Sequence, residues 1–128
     1  MYSPTLLDHF ENPRNGGACE HATACARVEN PVCGDVLELS AHVEHGVILA
    51  AGFRAKGCVP AMACASALTE LLKGRDVRDA ARLGSEDVAA AVGGVPPGSL
   101  HAAQMAVDAV RALIRDLRSA SEATAVNA

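Results

Sequence analysis

The stretch VLELSAHVEHGVILAAGFRA, residues 36–55, decides the fold. Leu37, Leu39, Ala41 and Val43 alternate with Glu38, Ser40 and His42, the period-two signature of a strand with one buried face. After the short turn Glu44-His45-Gly46, residues Val47, Leu49, Ala51, Phe53 and Ala55 alternate again. Two such segments joined by a tight turn predict an antiparallel hairpin with its apolar face covered by helices. Upstream, residues 21–29 form a weaker strand candidate. Before them Ser3 as N-cap and Pro4 at the first helical position start a helix striped by Leu6, Leu7 and Phe10, which Asn12-Pro13 stops.

Downstream the period changes. Ala61, Met62, Ala65, Leu68, Leu71 and Leu72 recur at helical spacing until Lys73-Gly74 closes the run. Asp76 and Ser85 are N-cap candidates for two short helices, and the Gly/Pro-rich run from Gly93 to Gly98 breaks the pattern. Leu100, Ala103, Val107, Val110, Ile114 and Leu117 then mark a long amphipathic helix. Residues 119–128 are small and polar and read as a flexible tail, leaving one domain over 1–118. Strands followed by helices make the fold class α+β.

Composition narrows the function. A chain of 128 residues that is 50% hydrophobic and 20% charged is a single folded domain and not a disordered segment. No apolar run approaches the ~20 residues of a membrane span. Two Phe, one Tyr and no Trp, with a net charge of −4, argue against stacking on bases or binding phosphate backbones. Neither a membrane nor a nucleic acid is therefore an expected partner. The opening Met1-Tyr2-Ser3-Pro4 lacks the basic and apolar regions of a signal peptide, so a cytoplasmic location is expected. There the five cysteines point to metal binding, sulfur chemistry or plain burial before disulfides.

Three segments carry the chemistry. In Asn30-Pro31-Val32-Cys33-Gly34-Asp35 the turn-forming residues should make Cys33 and Asp35 project from a constrained loop. The alternative is a turn holding a buried cysteine. Cys58 precedes Pro60 at the start of a helix, where the macrodipole favours a thiolate of lowered pKa. His101 opens the long helix, offset from its apolar stripe. Cys33, Asp35, Cys58 and His101 together form a donor set suited to tetrahedral zinc or an iron–sulfur species. Of the remaining cysteines, Cys64 should be buried, because a six-residue helical step turns it about 120° away from Cys58. Cys19 and Cys25 read as exposed or packed thiols.

Several blocks in order then match a known family. Asp8-His9-Phe10-Glu11-Asn12-Pro13-Arg14-Asn15, Cys33-Gly34-Asp35, Gly57-Cys58, the run from Ala65 to Gly74, Pro96-Pro97 and Leu100-His101 resemble the U-type iron–sulfur cluster assembly scaffolds. That family comprises IscU, SufU and the N-terminal domain of NifU. The resemblance runs from Tyr2 to about Leu117. It implies a three-stranded antiparallel sheet with helices packed on it and a metal site made by loops at one pole. It further implies a 2Fe–2S cluster or iron as cargo; from the donor set itself, the purified form is expected to hold at most one tetrahedral Zn²⁺ or no metal. A cysteine desulfurase, apo iron–sulfur proteins and an Hsp70-type chaperone system are the implied partners.

The chain departs from that pattern at one ligand. The family has a third cysteine directly after the histidine, and here Ala102 stands there, at a position expected to face the metal pole. The lysine of the family's chaperone-recognition segment is missing between Val95 and Ser99. The leading expectation is a non-enzymatic scaffold or carrier using Cys33, Asp35, Cys58 and His101. The alternatives are a zinc-dependent sulfur-transfer protein taking persulfide on Cys58, or a paralogue that only binds assembly partners.

Overall fold

The computed structural model describes residues 2–127, with side chains through Ala120. Helix α1 (Pro4–Glu11) leads into strands β1 (Ala24–Glu29), β2 (Val36–Glu44) and β3 (Val47–Lys56). Helices α2 (Val59–Leu72), α3 (Val77–Ala80), α4 (Ser85–Ala91) and α5 (Leu100–Asn127) follow, with a 3₁₀ turn at Pro97–Ser99 before the last. The strands form one antiparallel sheet in the order β1-β2-β3. The expected α+β architecture is therefore the one observed.

Local signals start the elements as their chemistry requires. Ser3 accepts a hydrogen bond from the Leu6 amide at 3.0 Å, capping α1, and Asp76 accepts from Arg78 to start α3. One face of the sheet then needs cover. α2 packs on β3, α5 packs on β1 and β2, and the two helices touch each other. Leu37, Leu39, Phe53, Leu68, Leu72, Val107 and Val110 meet in that single core.

Four pattern details differ from the sequence reading. In β3 the buried residue of the first turn of alternation is Ile48, while Leu49 is 43% exposed. The cause is a β-bulge: His42 pairs with Ala50 but Val43 pairs with Ile48, so Leu49 is the extra residue. In α1 the inward stripe is Leu6 with His9 and Phe10, and Leu7 turns outward. In α5 the inward stripe runs through Ala102, Ala103, Ala106, Val107 and Val110, whereas Leu100 is exposed. Position 85 lies one residue inside α4, whose N-cap is Gly84. The expected tail starts within α5 at Ser119 and Ala120 and from residue 121 lies outside the described side chains.

A buried polar network fixes the N-terminal segment. His9 Nδ1 lies 2.8 Å from Ser66 Oγ, which also accepts the Arg14 amide at 2.9 Å. Asn15 donates to Thr69 Oγ1, and Arg14 pairs with Asp8. The block from Asp8 to Asn15 is thus strapped to α2, and its residues serve the fold.

Candidate metal centre

Sheet register brings the first two loops together. Val36 pairs with Lys56, so the residue before β2 and the residues after β3 emerge side by side. Asn30 shapes the first loop: its side chain accepts the Val32 amide, its carbonyl accepts the Gly34 amide, and its own amide donates to the Asp35 carbonyl. Gly34 completes the turn with a φ of +77°, a conformation cheap only for glycine. Cys33 is left exposed and Asp35 is 5% exposed.

The second loop is shaped by Gly57. A Cβ there would sit 2.5 Å from Asp35 Cγ, so only a residue without a side chain lets the carboxylate lie against this backbone. Cys58 follows as N-cap of α2, and its thiol donates to Asp35 Oδ2 at 3.3 Å. The start of α5 supplies His101.

Three of the four expected donors form one group, and the fourth lies beside it. The ligand atoms of Cys33, Asp35 and His101 lie within 4.8 Å of one another, and Cys58 joins them through its bond to Asp35. Two thiols, one carboxylate and one imidazole in this arrangement can take a tetrahedral borderline cation, or two irons bridged by sulfide. Beside His101 a groove of about 410 Å³ carries Glu29 and Asp108 in its walls, adding negative charge next to the site.

Two expectations about this pole are corrected. Burial, reinforced by the bond to Asp35, pushes the Cys58 thiol above its usual value, although the backbone amides at the helix start oppose the shift. The dipole argument alone thus gave the wrong sign, because desolvation outweighs it. Ala102 is 1% exposed and its methyl belongs to the hydrophobic core. One residue of helix turns it about 100° from His101, toward the sheet and away from solvent. Cys64 is buried as expected; burial and then Cys58 push its thiol up to about 12. Cys25 is exposed and Cys19 half-buried.

The structural reason for Gly57, legible only as part of a family block, and the apolar border of the pole escaped the sequence. Gly57 carries no periodic signal, and only its place before a cysteine beside a carboxylate marks it. Val32 is 93% and Leu100 56% exposed, each directly preceding a donor residue, so apolar surface borders the site on two sides.

Comparison with known proteins agrees over most of the chain. The family described as NifU-like N terminal domain matches residues 1–124. The chain is 40% identical over 116 residues to iron-sulfur cluster assembly scaffold protein IscU 1 of Archaeoglobus fulgidus, covering 91% of this chain and 76% of the relative. It is 36% identical over 126 residues to the scaffold protein IscU of Escherichia coli K12, covering 95% and 98%. Among solved structures, an N-terminal NifU-like protein from Brucella abortus shares the fold with a TM-score of 0.73 at 18% identity, covering 91% of this chain and 94% of that one. Among the described residues no helix is long and apolar enough to cross a membrane.

Proposed function

The chain belongs to the NifU-like N-terminal domain family, and on that premise we propose that it holds and passes on iron–sulfur clusters, or the iron destined for them, without catalysing a reaction itself. The observation that carries this reading is the convergence of Cys33, Asp35 and His101 within 4.8 Å, with Cys58 bonded to Asp35. Cys33 and Cys58 would be the thiolate ligands, and Asp35 and His101 the exchangeable ones. A cluster held half by oxygen and nitrogen donors is labile, which suits a donor and not an electron carrier. Zn²⁺ fits the same set in the absence of iron and sulfide.

Partners follow from that role. A cysteine desulfurase would supply sulfur and apo iron–sulfur proteins would receive the product, meeting the pole across the exposed Val32 and Leu100. An Hsp70-type chaperone system is the weaker expectation, since the lysine of the recognition segment is missing. Sulfur transfer through a Cys58 persulfide finds less support, because burial holds that thiol protonated and only the thiolate attacks sulfur.

Anaerobic reconstitution with ferrous iron and sulfide tests the reading. The wild type should bind both, and Cys33→Ala and Cys58→Ser should each lose most of the bound iron and acid-labile sulfide. Equal loading of all three proteins would refute it.

A further inference from the structure

We propose that His21, His42 and Glu44 form a second cation site, for a divalent first-row transition metal such as Zn²⁺, at the end of the sheet opposite the Cys33–Asp35 pole. The two imidazoles come from different elements, His21 from the segment before β1 and His42 from β2. Their ring centroids are 6.4 Å apart with the planes inclined at 59°. The Glu44 carboxylate completes the group, with Oε1 3.1 Å from His42 Nε2.

In the observed rotamers the His42–Glu44 pair is at chelating distance and the His21 ring stands off from it. Two donors each about 2.1 Å from one tetrahedral ion are about 3.4 Å apart, close to the His42–Glu44 separation. Two imidazoles on one such ion place their centroids roughly 5 Å apart by the same geometry. The observed pair has to close by only ~1 Å, which a χ rotation of the exposed His21 ring supplies.

The pairing is built into the backbone. Thr23, two residues after His21, donates its amide to the Ala41 carbonyl at 2.8 Å and accepts the Val43 amide on its hydroxyl at 2.9 Å. Thr23 is therefore clamped to the two residues flanking His42, two positions from His21. The His21 φ of +57° holds the side chain on this course at a cost that an unconstrained loop residue would avoid. His42 and Glu44, two residues apart on β2, share one face of the strand, which is why their side chains meet.

The site is separate from the cluster pole. Seven strand residues from Asp35 to His42 span about 23 Å. Two imidazoles and a carboxylate suit Zn²⁺, Cu²⁺ or Ni²⁺, whereas the pole adds the two thiolates that an iron–sulfide core prefers. Occupation would pin the loop around His21 to the sheet, a clamp independent of cargo at the pole.

The test is Zn²⁺ titration of the full chain by calorimetry, with bound zinc counted after dialysis. The wild type should take up two ions, and the Cys33→Ser/Cys58→Ser double variant should retain one. His21→Asn, which suits a positive φ and so keeps the loop, should lose one ion from either background. Glu44→Gln should weaken the same ion several-fold with unchanged circular dichroism. The proposal is overturned if His21→Asn leaves the ion count unchanged, or if the double variant binds none.

Discussion

The Cys58 thiol donates to Asp35 Oδ2 across 3.3 Å, which ties the loop before β2 to the N-terminus of α2. Neither loop is held by much else. The first is shaped by the hydrogen bonds of Asn30, and the second ends at a helix whose N-cap side chain makes no capping bond. The bond spans residues 23 apart in the chain, and it depends on Gly57, over which the carboxylate lies.

Gly57→Ala should therefore act on the site through Asp35. The new methyl collides with the carboxylate and must push it out of reach of Cys58. Overpacking of this kind costs about 1–3 kcal/mol, a few degrees in melting temperature, with the fold retained. Bound iron and sulfide after reconstitution should fall as far as in Asp35→Ala. Retention of wild-type loading would mean that Asp35 does not hold the cargo.

The bulge in the hairpin separates two neighbours that a plain alternation treats the other way round. Ile48 is 1% exposed and Leu49 43%. Ile48→Ala should cost about 2–5 kcal/mol, as core truncations do, and Leu49→Ala less than ~1 kcal/mol. Urea unfolding of both variants measures the difference; similar midpoints would mean that the register is not shifted.

That pair shows where reading the chain alone stops. Period and caps are local properties, so the strands, the helix starts and the donors at their ends were all legible in residues such as Leu39, Ser3 and His101. The bulge at Val43 is a property of two paired strands, and nothing in either strand's own sequence records it. The same holds for Leu100, which fits the stripe by spacing but, as the first residue of α5, lies exposed. The sign of the Cys58 shift depends on how deeply the pole is buried, which only packing decides. The His21 and His42 rings come within 6.4 Å of each other beside an anchoring at Thr23 that has no sequence period at all.

Acid should loosen the strap between the N-terminal segment and α2. Burial, with Arg14 adding to it, holds the His9 pKa below its ordinary 6.5, and Glu70 only partly opposes. Above 6.5 the imidazole is neutral whether the chain is folded or not, and contributes no pH dependence. Below 6.5 the unfolded chain binds a proton that the folded chain refuses, so stability falls until the lower folded value is passed. Asp8, held below 3.8 mainly by its bond to Arg14, adds its own loss only at more acid pH. Melting temperature should thus decline from pH 6.5 downward in the wild type. In His9→Gln the curve should start lower and run flatter over that interval, and parallel curves for the two proteins would exclude His9 as the source.

Ala102→Cys tests what the missing thiol means. The residue is the third of α5 and its methyl lies in the core, 1% exposed. A sulfur added there has to be accommodated among close-packed neighbours, at about 1–2 kcal/mol. Its thiol will resist ionisation in apolar surroundings, so it becomes a ligand only when a metal competes for the proton. Ferric iron in a sulfide-bridged cluster prefers thiolate to carboxylate, and position 102 adjoins His101. Reconstituted Ala102→Cys should therefore hold more iron and sulfide than the parent, lose it more slowly to a chelator, and show a steeper rise in loading with pH. Loading no greater than that of the parent, in a variant whose melting temperature is intact, would show that the first turn of α5 directs this position into the core for good, and that the chain works with two thiolates only.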